Sequence, residues 1–319
     1  MNKFLITQLF CLAIVISSVS INAEGNDMEQ LSGQYLGLTP PGIEPELFAS
    51  GIISTDGAQH CFPAISPDGK EIYWMQIIFE NKRPRGEIHY MEEIDGSWTK
   101  PEVAAFSGIY NDQAPVFSHN GNRLYFSSSR PGGFGQKTNI WFIEKIDSKC
   151  SEPQNLGSPP NTDVGATQPS FTLDRSVYFV GSYDSTQWKT AIYRSRYING
   201  QYQKPELLDY PIRTEFADIY PYIAPDESFL IFGSTRPGGN SVESDLYLSF
   251  RDSSDNWSNP IHLDKSINNG KSVSFPFITH DGKYLLFNRF DDGTDKFHWV
   301  DAKIIQKYIT MQDSANKKD

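Results

Sequence analysis

Pro63-Ala64-Ile65-Ser66-Pro67-Asp68-Gly69, followed after Lys70 by Glu71-Ile72-Tyr73-Trp74, decides the fold, because the chain repeats it. A proline, a short apolar pair and a turn recur at Pro115-Val116-Phe117-Ser118-His119-Asn120-Gly121, Pro169-Ser170-Phe171-Thr172-Leu173-Asp174-Arg175, Pro221-Tyr222-Ile223-Ala224-Pro225-Asp226-Glu227 and Pro276-Phe277-Ile278-Thr279-His280-Asp281-Gly282. The five prolines stand 52 to 55 residues apart. A β-rich run ending in an aromatic follows each turn: Trp74, Phe126, Phe179, Phe232, Phe287. A polar loop and a third run come next, such as Asn139-Ile140-Trp141-Phe142, often leading into a tight turn such as Asp95-Gly96 or Asn199-Gly200. Those dipeptides accept the positive φ that hairpins require. A fourth run opens with proline at Pro101, Pro153, Pro205 and Pro260, as suits an outer edge strand that loses little with its missing N–H.

Four antiparallel strands in about 50 residues make a propeller blade. The expected fold class is all-β, a five-bladed β-propeller over residues 43–308. The fifth repeat lacks its fourth strand, and Pro45-Glu46-Leu47-Phe48 supplies a matching run at the other end. An N-terminal strand is therefore predicted to close the last blade and protect its edge.

The turn Ser66-Pro67-Asp68-Gly69, its relative Ala224-Pro225-Asp226, and the loops Ser129-Arg130-Pro131-Gly132-Gly133 and Thr235-Arg236-Pro237-Gly238-Gly239 resemble the WD40-like repeats of the TolB type. The resemblance covers residues 43–308. It implies the propeller fold; it does not imply one activity, since such repeats serve scaffolds, peptidase propellers and polysaccharide lyases.

Composition agrees with an all-β chain: 13 % aromatic, with 24 Gly and 20 Pro. A net charge of −11 argues against nucleic acid as a partner. Lys3, the apolar run from Phe4 to Ile16 and the small residues ending at Ala23 read as a signal peptide over residues 1–23. The expected location is periplasmic or secreted, with no membrane span. Residues 24–42 read as a loose lead-in and 309–319 as a polar tail. Beyond the signal, Cys61 and Cys150 fall on opposite faces of the ring, so both are expected to be free thiols rather than a disulfide.

Residues just before each repeat proline are expected to line the channel mouth: His60 to Phe62, Asp112 to Ala114, Ala166 to Gln168, Asp218 to Tyr220 and Val273 to Phe275. His60, Asp112 and Asp218 are the titratable candidates for acid–base catalysis or metal binding. The plainer alternative has both aspartates bonding loop backbone and His60 satisfied on its strand. Arg130, Arg236 and Arg289 are candidates for an anion-reading face, or, in the structural reading, for ion pairs with the adjacent blade. Gln113, Gln168, Tyr183, Asp184, Trp188 and Tyr220 complete the candidate ligand-binding set, with Trp188 either stacking on a sugar or anchoring its loop. Asp291-Asp292-Gly293-Thr294-Asp295 is rich in oxygen ligands but lacks the spacing of a calcium loop. No cofactor is called for, and calcium in the channel or that loop is the one metal left open.

No Gly-x-Ser-x-Gly, His-Glu-x-x-His, phosphate loop or dinucleotide fingerprint occurs. The expectation is a monomeric scaffold binding an envelope protein, peptide segment or glycan through its loop face. The alternative is a carbohydrate-active enzyme, a lyase or hydrolase, with its site at the channel mouth.

Overall fold

The computed structural model describes residues 31–57, 59–146, 149–184, 189–241, 243–291 and 293–316. Five antiparallel sheets stand around a channel, each one repeat. The innermost strands are Gln59–Ile65, Asp112–Phe117, Thr167–Phe171, Asp218–Ile223 and Val273–Ile278. In the first four blades the fourth strand is the proline-led run, ending with Glu102–Val103, Gln154–Asn155, Glu206–Leu207 and Ile261–His262. The signal-peptide residues, Trp188 and Asp292 lie outside the described residues.

Each repeat turn is fixed by its own side chains. Ser66 Oγ donates to Asp68 Oδ1 at 2.6 Å, and Thr279 Oγ1 to Asp281 Oδ1 at 2.7 Å. The Gly69 amide closes the turn on the Ser66 carbonyl at 2.8 Å. At the hairpins, Asp95 and Gly96 have φ of 51° and 81°, and Asn199 and Gly200 of 52° and 82°, the paired positive values of a type I′ turn.

The repeat proline has a physical role. In every innermost strand the register slips across it, and the bulge holds a non-glycine residue at positive φ: Cys61 (66°), Ala114 (51°), Gln168 (55°), Tyr220 (56°) and Phe275 (52°). Proline fits a bulge because no ladder bond needs its missing N–H. Four bulges set two residues against one, as Ala114 and Pro115 oppose Phe126. The first blade sets three, Cys61, Phe62 and Pro63, against Trp74.

Ring closure is as the sequence predicts. Glu46 pairs with Trp299 and Leu47 with His298, and the Phe48 amide donates to the Phe297 carbonyl at 2.9 Å. Phe48 is fully buried, its ring 5.2 Å from Trp299. Across the same seam Phe62 of the first blade stacks on Phe277 of the fifth at 4.9 Å.

Two expectations about the chain ends are corrected. Residues 31–42 are not loose: the Trp98 indole donates to the Gly33 carbonyl at 2.8 Å, and Tyr35 packs edge-on against Tyr284 at 5.0 Å. This segment thereby ties the first blade to the fifth. Gly37 is required there, since at φ 70° a Cβ would meet the Ser32 carbonyl oxygen at 2.4 Å. Nor is 309–319 a plain tail, because an α-helix, α1, spans Lys303–Asn316. The helix is anchored by Ile304, Ile305 and Tyr308, which are buried and precede residue 309. With Ile309 and Gln306, Ile305 caps the turn-face end of the channel over a cavity of about 250 Å³ that also touches His119, Phe171, Tyr222 and His280.

An arginine–aspartate lock binds each of two blades to its incoming loop. Arg130 donates to Asp112 at 2.9 Å, to Ser128 Oγ at 2.9 Å and to the Phe106 carbonyl at 3.0 Å. Arg236 repeats this with Asp218 at 2.7 Å, Ser234 at 2.9 Å and the Ile212 carbonyl at 2.7 Å. Both aspartates are fully buried. The pairs lie within one blade, not between adjacent blades as the structural reading of these arginines supposed.

Phe48→Ala is expected to cost about 3–5 kcal/mol, read by urea unfolding, through loss of the seam packing. Asp112→Asn leaves Arg130 buried without its counter-charge and is expected to cost about 3–5 kcal/mol in the same assay. Burial beneath α1, aided by the neighbouring His119, lowers His280 to about 4 from 6.5. The unfolded chain takes up this proton below its ordinary value while the folded chain refuses it. Stability is therefore lost as pH falls from about 6.5 to 4, and His280→Gln should lose less by about 1–3 kcal/mol between pH 7 and 4.5.

Candidate functional site

The first and last blades meet beside the loop-face ends of their innermost strands. There His60 Nδ1 lies 2.8 Å from Asp295 Oδ2, two residues brought together from opposite ends of the ring. Both are partly open to solvent, at 30 % and 22 % of their side-chain surface. The His60 ring stands edge-on to Phe275 at 4.6 Å, and Phe275 meets Tyr220 at 4.0 Å. The Tyr220 amide in turn donates to Gln168 Oε1 at 3.3 Å. Gln168, Tyr220 and Phe275 are the positive-φ residues of three successive bulges. The repeated distortion of the innermost strands thus brings one side chain from each of three blades into a continuous arc, with Phe275 buried within it.

An imidazole bonded at Nδ1 to a carboxylate has its ring orientation and tautomer set, with Nε2 left to accept a proton. Asp295 accepts only, so Nδ1 carries the hydrogen. Burial raises the Tyr220 phenol well above its usual range, so it stays protonated as a donor. Cys61, beside the arc, is no nucleophile: it is fully buried against Met75 Sδ at 3.5 Å, and burial pushes its thiol up. Cys61 and Cys150 are both unpaired, one buried and one exposed. Behind the mouth Asn288, opposite Ser274, is fully buried with no partner for either end of its amide among the described residues.

Of the three titratable candidates, only His60 reaches the mouth. The extra residue in the first bulge is the reason. By register His60 corresponds to Gln113, Thr167, Ile219 and Ser274, not to Asp112 and Asp218. A shift of one residue reverses which side of a strand a side chain occupies, and Asp112 and Asp218 turn into the arginine locks. The proposed anion-reading face is corrected likewise. Arg130 and Arg289 are each 8 % exposed, Arg236 is held in its lock, and Arg289 donates to the Ser266 and Ile267 carbonyls at 2.9 and 3.0 Å.

Gln168 and Tyr220 join the arc, and Gln113 is half-buried opposite Ser127. Tyr183 lies 5.8 Å under the Arg213 guanidinium, and Asp184 pairs with Lys189 in the third blade's hairpin. The Asp291–Asp295 segment is no single cluster: Asp295 holds His60, while Asp291 binds His298 and Lys271. Among the described residues no three His, Cys, Asp or Glu side chains converge as metal ligands. Sequence reading placed Phe275 at the mouth but missed Asp295 as the partner of His60 and the buried Asn288 behind it. The bulge position, one before the repeat proline, was the available signal for Phe275.

No protein-family model matches the chain, and no curated protein matches it. Solved structures do. An endo-arabinase from Bacteroides thetaiotaomicron is similar over 82 % of this chain and 97 % of its own, at 14 % identity and a TM-score of 0.53. A thermostable family-43 glycoside hydrolase is similar over 78 % and 90 %, at 11 % identity and 0.50. The catalytic domain of the Coprinopsis cinerea family GH62 α-L-arabinofuranosidase is similar over 82 % and 97 %, at 11 % identity and 0.50. These likenesses establish the five-bladed β-propeller fold.

Proposed function

We propose that this propeller is a carbohydrate-active enzyme whose site is the channel mouth, with His60 as general base and Asp295 as the residue that orients it. The observation that carries this reading is the 2.8 Å contact between His60 and Asp295 beside the aromatic pair Phe275 and Tyr220. Phe275 is buried, and the partly exposed Tyr220 supplies the aromatic ring and phenol O–H suited to a sugar's C–H face and hydroxyl edges. Three propellers of this fold are an endo-arabinase, a glycoside hydrolase and an arabinofuranosidase, which supports a glycan as the occupant.

The local chemistry favours elimination over hydrolysis by paired carboxylates. Glycoside hydrolysis of that kind uses two carboxyl groups flanking the bond, and Asp112 and Asp218 are committed to Arg130 and Arg236. A His–Asp pair suits removal of a proton next to a uronate carboxylate. His60 Nε2 takes the C5 proton, the electron pair forms the C4–C5 double bond, and the C4–O4 bond breaks, the departing oxygen taking a proton from solvent. The leader at residues 1–23 accords with action outside the cytoplasm, where such polymers are met.

The test is turnover of uronate polymers, followed by the ultraviolet absorbance of the unsaturated product. His60→Ala is expected to lower kcat by about 10²–10⁴-fold, with Asp295→Asn intermediate. Turnover unchanged in His60→Ala overturns the assignment of the base, and absence of turnover on a panel of uronate polymers overturns the elimination reading.

A further inference from the structure

A second candidate cavity lies away from the mouth. A groove of about 640 Å³ opens on the opposite, turn-bearing face between the second and third blades. One wall is the second blade, with Ser118 to Asn120, Asn122, Arg123 and Glu144 to Ile146; the other is the third blade's turn, Phe171 to Leu173 and Arg175. Its volume falls in the range of ligand sites, about 300–1,000 Å³.

The groove inverts the charge of the molecule. In a chain of net charge −11, it gathers Arg123, Lys145 and Arg175 against one lining carboxylate, Glu144. Arg123 is paired with Glu144 at 2.6 Å, and Lys145 is paired with Glu71 of the first blade. Arg175 has no ion pair among the described residues, and its guanidinium lies exposed over the Tyr197 ring at 4.2 Å. Asp174, the neighbouring acid, is turned into its own turn, bonding the Ser176 amide at 2.9 Å and Thr172.

Arg175 also breaks the repeat. Three of the five turns place glycine there, and Arg175 sits at φ 73°, a left-handed backbone that disfavours a side chain. Leu173 beside it is 65 % exposed, and Ile146 on the facing wall is 60 % exposed. The Tyr202 hydroxyl is buried with no partner among the described residues, within electrostatic range of Tyr125, Arg175 and Arg123. An exposed guanidinium without an ion pair, lining the same groove as two bare aliphatic side chains, matches a ligand carrying a carboxylate near an aliphatic group. The exposed walls are aliphatic, whereas sugar stacking needs an open aromatic face.

We propose that this groove docks an acidic peptide segment of a partner protein, one carboxylate on Arg175 and one aliphatic side chain between Ile146 and Leu173. The site stands on the face opposite the mouth and does not depend on the catalytic reading.

Fluorescence polarisation of a labelled Asp-Glu-Leu-Asp-Glu peptide against the whole protein tests it. The expected result is saturable binding that weakens with added salt, falls about tenfold or more in Arg175→Glu and in Leu173→Asp, and is unaltered in His60→Ala. Both groove substitutions are at exposed positions, and circular dichroism checks that each variant is folded. The proposal is overturned by absence of saturable binding, by binding indifferent to either groove substitution, or by a uronate oligosaccharide of equal charge displacing the probe as well as unlabelled peptide does.

Discussion

The pairing of Glu46 and Leu47 with the third strand of the fifth blade is the constraint on which the rest depends. It buries Phe48 against Trp299 and completes a sheet that the C-terminal repeat leaves one strand short. It also brings the first blade beside the last, and the candidate site straddles that seam. His60 belongs to one blade and Asp295 to the other, 235 residues apart in the chain. Opening the ring would therefore dismantle the site along with the fold. Tyr35 and Trp98 add a second tie across the same seam.

Strain in the innermost strands is the second organising feature. Five non-glycine residues hold positive φ at equivalent bulges, each a conformational cost of about 1–3 kcal/mol met by surrounding packing. Bulges re-aim side chains at barrel rims and active sites. Three of the five, Gln168, Tyr220 and Phe275, form the arc at the mouth. In the first blade the bulge is one residue longer, and this lengthening sets His60 apart from the buried aspartates.

The buried charges divide by role. Asp112 and Asp218 are neutralised by Arg130 and Arg236 and tie each incoming loop to its blade. At Arg289 the residue across the strand pair is Val273 rather than aspartate, and backbone carbonyls take the guanidinium instead. The partly exposed charges, His60 with Asp295 at the mouth and Arg175 on the opposite face, are those open to a ligand.

Blade number, strand order, the closing strand and the free cysteines follow from the sequence, because they rest on local periodicity and turn chemistry that each repeat carries in itself. The proline-anchored alignment also located the mouth. It could not give the register within it: aligned on proline, His60 falls level with Asp112, and only hydrogen-bond pairing reveals the extra bulge residue that separates them. Arginines repeated in matching loops read as a ligand face or, as their recurrence favours, as structural ion pairs; burial decided for ion pairs, which lie within one blade rather than between blades. The partner of His60 had no local signal at all, since Asp295 lies in a run of acids that reads as solvated loop. Which of those carboxylates meets the imidazole is a property of the closed ring, set by contact between blades that are distant in sequence.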